Sequence, residues 1–365
     1  MDLHLVGGFL GSGKTTAIIQ SARLLVEKDR RVAIITNEQG KHLVDTGFLH
    51  AQGLPALEVT GGCICCHLDD FADRIEEITE RFNPDVLFAE SVGSCTDLVA
   101  TVIKPLADYR DRSTEPASFS VFTDSRLLLR HLRGEEMPFS DNVIYIFEKQ
   151  IEETELLILN KIDLLSKEDR REITRLAENR YPDKTIRPQN SHHQKDIEGW
   201  LSLIESRSVD LPNASLELDY DIYAEGEGRF CWLDRGLEIS FNNLNSGKIT
   251  AELIVNILNG LSELGGMIAH LKFLVETPTH SWKINMTSMD TEMDGKKLEE
   301  IRQLDDKLLG LTINAMIEGD QDLQTRRLDN IINSFCEERK ISYNEIARFD
   351  RVPGYPRPTM RIGNQ

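Results

Sequence analysis

Hydrophobic residues in the first two hundred positions fall into short, nearly unbroken runs. Leu3-His4-Leu5-Val6, Val32-Ala33-Ile34-Ile35, Val86-Leu87-Phe88-Ala89, Phe119-Ser120-Val121-Phe122 and Leu156-Leu157-Ile158-Leu159 are such runs. Each suits a strand buried on both faces of a mainly parallel sheet. Residues 56–60 read as a further strand. Between the runs lie amphipathic segments, as in 71–82, where Phe71, Ile75 and Ile78 share one side. Strands alternating with helices predict a doubly wound α/β domain.

The pattern changes near residue 206. The stretch 206–228 carries Asp210, Glu217, Asp219, Asp221, Glu225 and Glu227 with Pro212, Gly226 and Gly228. It reads as an acidic linker. Beyond it, Leu237, Ile239 and Phe241 alternate with Glu238, Ser240 and Asn242. Trp282, Ile284 and Met286 alternate in the same way, as do Leu311, Ile313, Ala315 and Ile317, and 268–275 is another candidate strand. One polar face per strand predicts an antiparallel sheet. Leu253, Ile254, Ile257, Leu258 and Leu261 recur at helical spacing, as do Leu328, Ile331, Ile332 and Phe335. The expectation is an α/β domain over 1–208, a linker over 209–228 and a smaller α+β domain over 229–365. The tail from Val352 holds three prolines and reads as irregular surface chain.

Charge and cysteine usage narrow the class. The 42 basic and 61 acidic residues leave a formal charge of −19. Such a surface repels phosphate backbones and anionic lipid, so neither nucleic acid nor a membrane surface is an expected partner. No apolar run approaches the length of a membrane span. The N-terminus enters its first motif almost at once, without signal-peptide character, so a cytoplasmic location is expected. Of six cysteines, Cys63, Cys65 and Cys66 lie together, while Cys95, Cys231 and Cys336 are scattered. A tight cluster in a large chain of this kind reads as metal or redox chemistry and not as a disulfide framework.

The first strand runs directly into Gly8-Phe9-Leu10-Gly11-Ser12-Gly13-Lys14-Thr15-Thr16, which opens a helix. That context identifies a phosphate-binding loop. Its glycines let backbone N–H groups wrap a phosphate, and the helix N-terminus adds positive dipole. Lys14 is expected to bridge the β- and γ-phosphates and the Thr15 hydroxyl to ligate magnesium. Asn160-Lys161-Ile162-Asp163 follows the strand ending at Leu159. An aspartate placed so can accept both N1–H and N2–H₂ of guanine, a donor pair adenine lacks, which selects GTP over ATP. Asn160 would buttress the loops and the Lys161 stem would cover the base. Gln189-Asn190-Ser191 is the expected final base-contacting loop.

Two acidic motifs close strands at the same sheet edge, where ligands bind. Glu90-Ser91-Val92-Gly93 makes Glu90 the candidate for activating the attacking water or contacting magnesium, with the Gly93 N–H near the γ-phosphate. Asn37-Glu38-Gln39-Gly40 ends the second strand, and Asp45 follows. Gly62-Cys63-Ile64-Cys65-Cys66-His67 offers three thiols within four residues, enough to hold one soft or borderline cation. Zinc fits best, with copper(I), cobalt and nickel as options. The fourth ligand could be Glu38, His67, water or a client's side chain, and an incomplete shell suits a metal that must leave again. A redox pair and simple packing are the competing readings. His192-His193 reads as an exposed loop pair and His4 as structural.

Taken together, these residues resemble the CobW-type branch of P-loop GTPase metallochaperones, relatives of the urease and hydrogenase maturation GTPases. The resemblance runs in order through 7–16, Asn37-Glu38-Gln39-Gly40, Gly62-Cys63-Ile64-Cys65-Cys66, Glu90-Ser91-Val92-Gly93 and Leu159-Asn160-Lys161-Ile162-Asp163, within residues 1–205. It implies that the Cys-x-Cys-Cys element binds a cargo metal and that GTP turnover gates its transfer to a client metalloprotein. The family often has Thr-Thr-Gly after its acid where this chain has Ser91-Val92-Gly93. The usual histidine-rich segment is missing. The resemblance carries over neither cargo nor client, and a homodimer is one possible assembly. Two other readings remain at this level. One is a GTP-dependent switch that assists insertion of a cofactor such as a corrinoid, with a structural metal site. The other is a small-molecule or nucleotide kinase, against which the Asn-Lys-x-Asp loop argues.

Overall fold

The computed structural model describes all residues except 38–43, 45–48, 50–52, 60–62, 110–115, 242–244, 264–265, 291–292 and 365. Glu38 and Asp45 therefore lie outside the described residues. The chain forms two compact units. One comprises Met1–Gln39, Gly53–Gly226 and Pro356–Gln365; the other is Glu227–Tyr355 together with the described Val44 and Leu49.

The apolar runs build one seven-stranded sheet. Its strands are β1 (Asp2–Gly8), β2 (Val32–Thr36), β3 (Ala56–Glu58), β4 (Val86–Glu90), β5 (Ser118–Asp124), β6 (Leu156–Asn160) and β7 (Thr185–Pro188). The order is β3-β2-β4-β1-β5-β6-β7 and every pairing is parallel. All residues of β2, β5 and β6 are buried, which is why their sequences show no alternation. β7 is an edge strand, which tolerates Pro188 at its end. The connecting helices are α1 (Lys14–Val26), α2 (Leu68–Phe82), α3 (Lys104–Tyr109), α4 (Ser125–Leu132), α5 (Asp141–Glu153), α6 (Lys167–Arg180) and α7 (Gln194–Glu205). α1 packs with α7 and α4 with α6. The α7 residue Trp200 is fully buried, lies edge-on to Phe122 and donates its Nε1–H to Ser120 Oγ at 3.1 Å.

Two segments differ from their sequence reading. The stretch read as an acidic linker contains helix α8 (Tyr220–Gly228), and Ser215 and Tyr223 within it are buried. The C-terminal segment also belongs to the first unit: the Ile362 N–H donates to Ala100 O at 2.8 Å. Arg361 and Tyr220 both donate to Asp97 at 2.7 Å.

The second unit is a five-stranded antiparallel sheet with helices. β8 (Phe230–Ser240), α9 (Ser246–Ser262), β9 (Met267–Glu276), β10 (Ser281–Thr287), α10 (Gly295–Arg302), β11 (Leu308–Glu318), α11 (Gln321–Arg339) and β12 (Ser342–Arg351) follow in order. The sheet order is β10-β9-β11-β8-β12. Leu253, Ile257, Leu328 and Phe335 from the helices share one core with Ile239, Phe273 and Ile313 from the sheet. The sequence pattern reveals neither α10 nor β12. β12 is anchored by charge: Asp350 meets the fully buried Arg235 at 2.6 Å, and Asp329 reaches the same guanidinium at 2.9 Å. Among the described residues, no helix is long and apolar enough to cross a membrane.

Candidate functional site

β1 is the central strand, and its C-terminal end opens the loop that leads into α1. Gly8, Gly11 and Gly13 all have positive φ, and Gly13 caps the helix in the left-handed region. At Gly13 the space is also closed, because a Cβ would lie 2.4 Å from Asn160 Nδ2. Only glycine satisfies both demands. Lys14 is buried and folds back over the loop, donating to Gly8 O at 2.7 Å and Phe9 O at 3.3 Å. Ser12 is fully buried, and its Oγ has no partner among the described residues. A buried hydroxyl left so costs stability unless something meets it, which fits a loop shaped for a polar ligand. Thr15 and Thr16 follow Lys14 in the first turn of α1, and the Thr15 hydroxyl donates to Glu90 Oε1 at 3.0 Å. The end of β4 thus stands beside the start of α1.

Asn160 ties three segments together. Its Nδ2 donates to Ser12 O at 2.7 Å, and its Oδ1 accepts from Ser191 N at 3.2 Å and Ser191 Oγ at 2.8 Å. The 189–191 loop therefore stands beside both the glycine loop and the Asn-Lys-x-Asp turn. Lys161 adopts a positive φ and pairs with Asp124 at 3.0 Å. Burial pushes the Asp124 carboxyl up, but Lys161 and then Arg126 outweigh it and hold it below the usual range. The Asp163 carboxylate is exposed, while its backbone is fixed by Arg170 donating to its carbonyl at 2.8 Å.

The three cysteines form a tight turn in the same unit. Cys66 N and His67 N both donate to Cys63 O, at 3.0 and 3.1 Å. Asn37, at the end of β2, pins the turn: its Oδ1 accepts from Ile64 N at 2.9 Å and its Nδ2 donates to Val59 O at 3.2 Å. The Thr359 hydroxyl donates to Cys66 O at 2.8 Å. The three Sγ atoms lie within 4.8 Å of one another, and Cys63 and Cys65 are in disulfide contact with their Cα atoms 5.4 Å apart. Two thiolates on a tetrahedral zinc with bonds of about 2.3 Å sit about 3.8 Å apart. The Cys65–Cys66 separation of 3.9 Å matches that edge. The donor set therefore fits a thiophilic cation once the thiols are reduced. His67 turns toward Asp70 at 3.5 Å instead of joining the sulfurs. His192 and His193 are exposed, and His193 meets Asp196 at 3.1 Å. His4 is buried against Ser118 at 2.8 Å, and burial pushes its ring down to about 4.

Sequence reasoning overlooked three supporting residues. Asn37 reads in the sequence only as part of a motif, yet it pins the cysteine turn. Gln150 on α5 donates to Gly93 O at 3.0 Å and Cys95 O at 2.8 Å, fixing the loop after β4. Glu153, one turn on, accepts from Val99 N at 2.6 Å. Burial pushes the Glu153 carboxyl up to about 8; the Val99 bond works against this and the Asp97 charge adds to it. An acid raised in the folded state binds a proton that the unfolded chain releases near its ordinary 4.5. Its stability contribution is complete below that value and is lost as pH rises through about 8. Glu153→Gln should keep the hydrogen bond without the charge. Chemical denaturation is expected to show wild type losing on the order of 1 kcal/mol per pH unit relative to the variant between pH 5 and 8. Parallel pH profiles would contradict this.

A parallel sheet whose central strand feeds a glycine loop and helix, with an acid ending the neighbouring strand, defines a P-loop nucleotide-binding protein. The chain belongs to the CobW/HypB/UreG family: that nucleotide-binding domain matches residues 2–187. It is 33% identical over 184 residues to the zinc chaperone CobW of Sinorhizobium sp, covering 44% of this chain and 51% of that protein. Over 223 residues it is 29% identical to the zinc chaperone YeiR of Escherichia coli (strain K12), covering 58% and 59%. The chain thus spans about half the length of the curated relatives it matches. Among solved structures, HypB from Helicobacter pylori in complex with nickel is similar over 57% of this chain and 90% of its own, at 15% identity and a TM-score of 0.41.

Proposed function

We propose that this protein binds and hydrolyses GTP and uses that cycle to hold and release a transition metal, zinc first among the options, for a client metalloprotein. One observation carries the reading: three cysteine sulfurs gather on a turn pinned to the end of β2, in the unit that also holds the P-loop. The names of the two zinc chaperones point the same way, as does a 24% match over 221 residues to the zinc-regulated GTPase metalloprotein activator 1 of Dictyostelium discoideum.

In this account backbone N–H groups of the glycine loop wrap the β-phosphate. Lys14 leaves its carbonyl partners to neutralise the β- and γ-oxygens. Thr15 and Glu90 offer a hydroxyl and a carboxylate 3.0 Å apart, hard oxygen donors suited to magnesium, which when bound would screen the phosphate charges. Glu90 orients the attacking water, Gly93 turns its N–H toward the γ-phosphate, and Asp163 reads guanine. Cys63, Cys65 and Cys66 hold the cargo as thiolates, releasing protons as they bind it. Glu38 is a candidate further ligand.

Phosphate release by the reduced protein tests this. Zinc is expected to change GTP turnover by about fivefold or more, a coupling of ordinary size. Cys65→Ser should abolish the change while leaving basal turnover in place. Equal turnover with and without zinc, cobalt, nickel and copper(I) would sink the coupling.

A further inference from the structure

We propose that Cys95, on the loop after β4, supplies a fourth thiolate to the cargo metal. The inference rests on the metal-carrying reading above and adds a ligand from the nucleotide side of the unit. Cys95 follows Glu90 by five residues, and nothing in its local sequence marks it as a ligand. In the fold its Sγ stands 4.0 Å from Cys65 Sγ, and Cys65 Sγ stands 3.9 Å from Cys66 Sγ. Both separations are close to the edge of about 3.8 Å between two sulfurs on one tetrahedral zinc. Cys65 thus has a sulfur at such a distance on each side, Cys66 within the turn and Cys95 on the loop after β4, and reduction of the Cys63–Cys65 contact frees the turn's sulfurs to close on the same cation. Cys231 and Cys336 lie in the core of the second unit, and among the described residues neither belongs to a group that could hold a metal ion.

The loop that carries Cys95 is tied to α5 on one side and to the phosphate loop on the other. Cys95 N donates to Val92 O at 3.0 Å in a tight turn, and Gln150 holds the carbonyls of Gly93 and Cys95. Gly93 in that turn packs directly on the phosphate loop: a Cβ there would lie 2.6 Å from Leu10 Cδ2 and 3.0 Å from Leu10 Cα. A displacement of the phosphate loop is thus passed by contact to the turn that holds Cys95. Cys95 is 1% exposed, so it serves as an internal ligand and not as one a client could approach.

The chemistry follows from ligand count. Four thiolates close a zinc site, whereas three leave a position at which an incoming ligand can enter. Cys95 bound keeps the cargo locked; Cys95 withdrawn, with a proton taken up on its sulfur, opens the fourth position to a client. The nucleotide-contacting loop after β4 would set which of these holds.

The test uses the reduced 365-residue protein loaded with zinc or cobalt(II). X-ray absorption at the zinc edge of the wild type is expected to count four sulfurs; three sulfurs with one nitrogen or oxygen would overturn the proposal without any variant. Cobalt(II) should give thiolate charge-transfer absorption that falls by about one quarter in Cys95→Ser, one thiolate in four. Zinc affinity by chelator competition should weaken at least tenfold in the same variant. A folded Cys95→Ser with wild-type cobalt spectrum and zinc affinity would overturn the inference while leaving the three-cysteine cargo site intact. Absence of any thiolate–cobalt absorption in the wild type would instead remove the metal-carrying reading, and this inference with it.

Discussion

Lys14→Ala is expected to slow GTP hydrolysis by about 10² to 10³-fold, the loss typical of removing one preorganised charge from a transition state. The side chain is already buried at the mouth of the loop, with its ammonium on Gly8 O and Phe9 O. Those are ligands it can exchange for phosphate oxygens without unfolding anything. Alanine leaves the sheet untouched, because Lys14 begins α1 and sits outside the strands. Single-turnover phosphate release with saturating GTP measures the effect, with circular dichroism confirming the fold. Turnover within a few-fold of wild type would refute the phosphate-loop assignment.

The second large effect concerns the base. Asp163→Ala should cut the preference for GTP over ATP by at least about a hundredfold, since a site built to hydrogen-bond a substrate N–H pair discriminates steeply against the analogue that lacks it. The turn is braced through groups other than that carboxylate. Lys161 has a positive φ and pairs with Asp124, and Arg170 donates to the Asp163 carbonyl, so neither contact uses the exposed Asp163 carboxylate. The backbone contacts do not depend on the side chain, so the variant should bind nucleotide and lose only the choice. Competition binding with GTP and ATP reads this directly. ATP preferred by the wild type would overturn the guanine reading.

Much of this was legible in the residues because local chemistry and fold agree. Strands buried on both faces must be apolar throughout, so β2, β5 and β6 announce themselves. The glycine loop is recognisable because left-handed backbone and close approach at Gly13 both demand that residue. Other features depend on distant partners. The 209–228 stretch reads as solvated linker from its acids, yet Tyr220 donates to the buried Asp97 and Tyr223 is fully covered. β12 shows little alternation because it is an edge strand, held by its ladder to β8 and by Asp350 on Arg235. The C-terminal segment looks irregular in sequence but returns to the first unit through Arg361 and Thr359. Cys95 stands alone along the chain and beside Cys65 only in the fold. Such juxtapositions arise from topology, which no spacing rule encodes.

Nucleotide and metal are expected to bias one another on this protein. Binding linkage is reciprocal, so a metal that alters GTP affinity must have its own affinity altered by GTP to the same degree. Zinc affinity of the reduced protein should therefore be measured by chelator competition, once with GDP and once with a non-hydrolysable GTP analogue. The account predicts dissociation constants differing by about fivefold or more between the two nucleotides. Identical zinc affinities in the two states would contradict it.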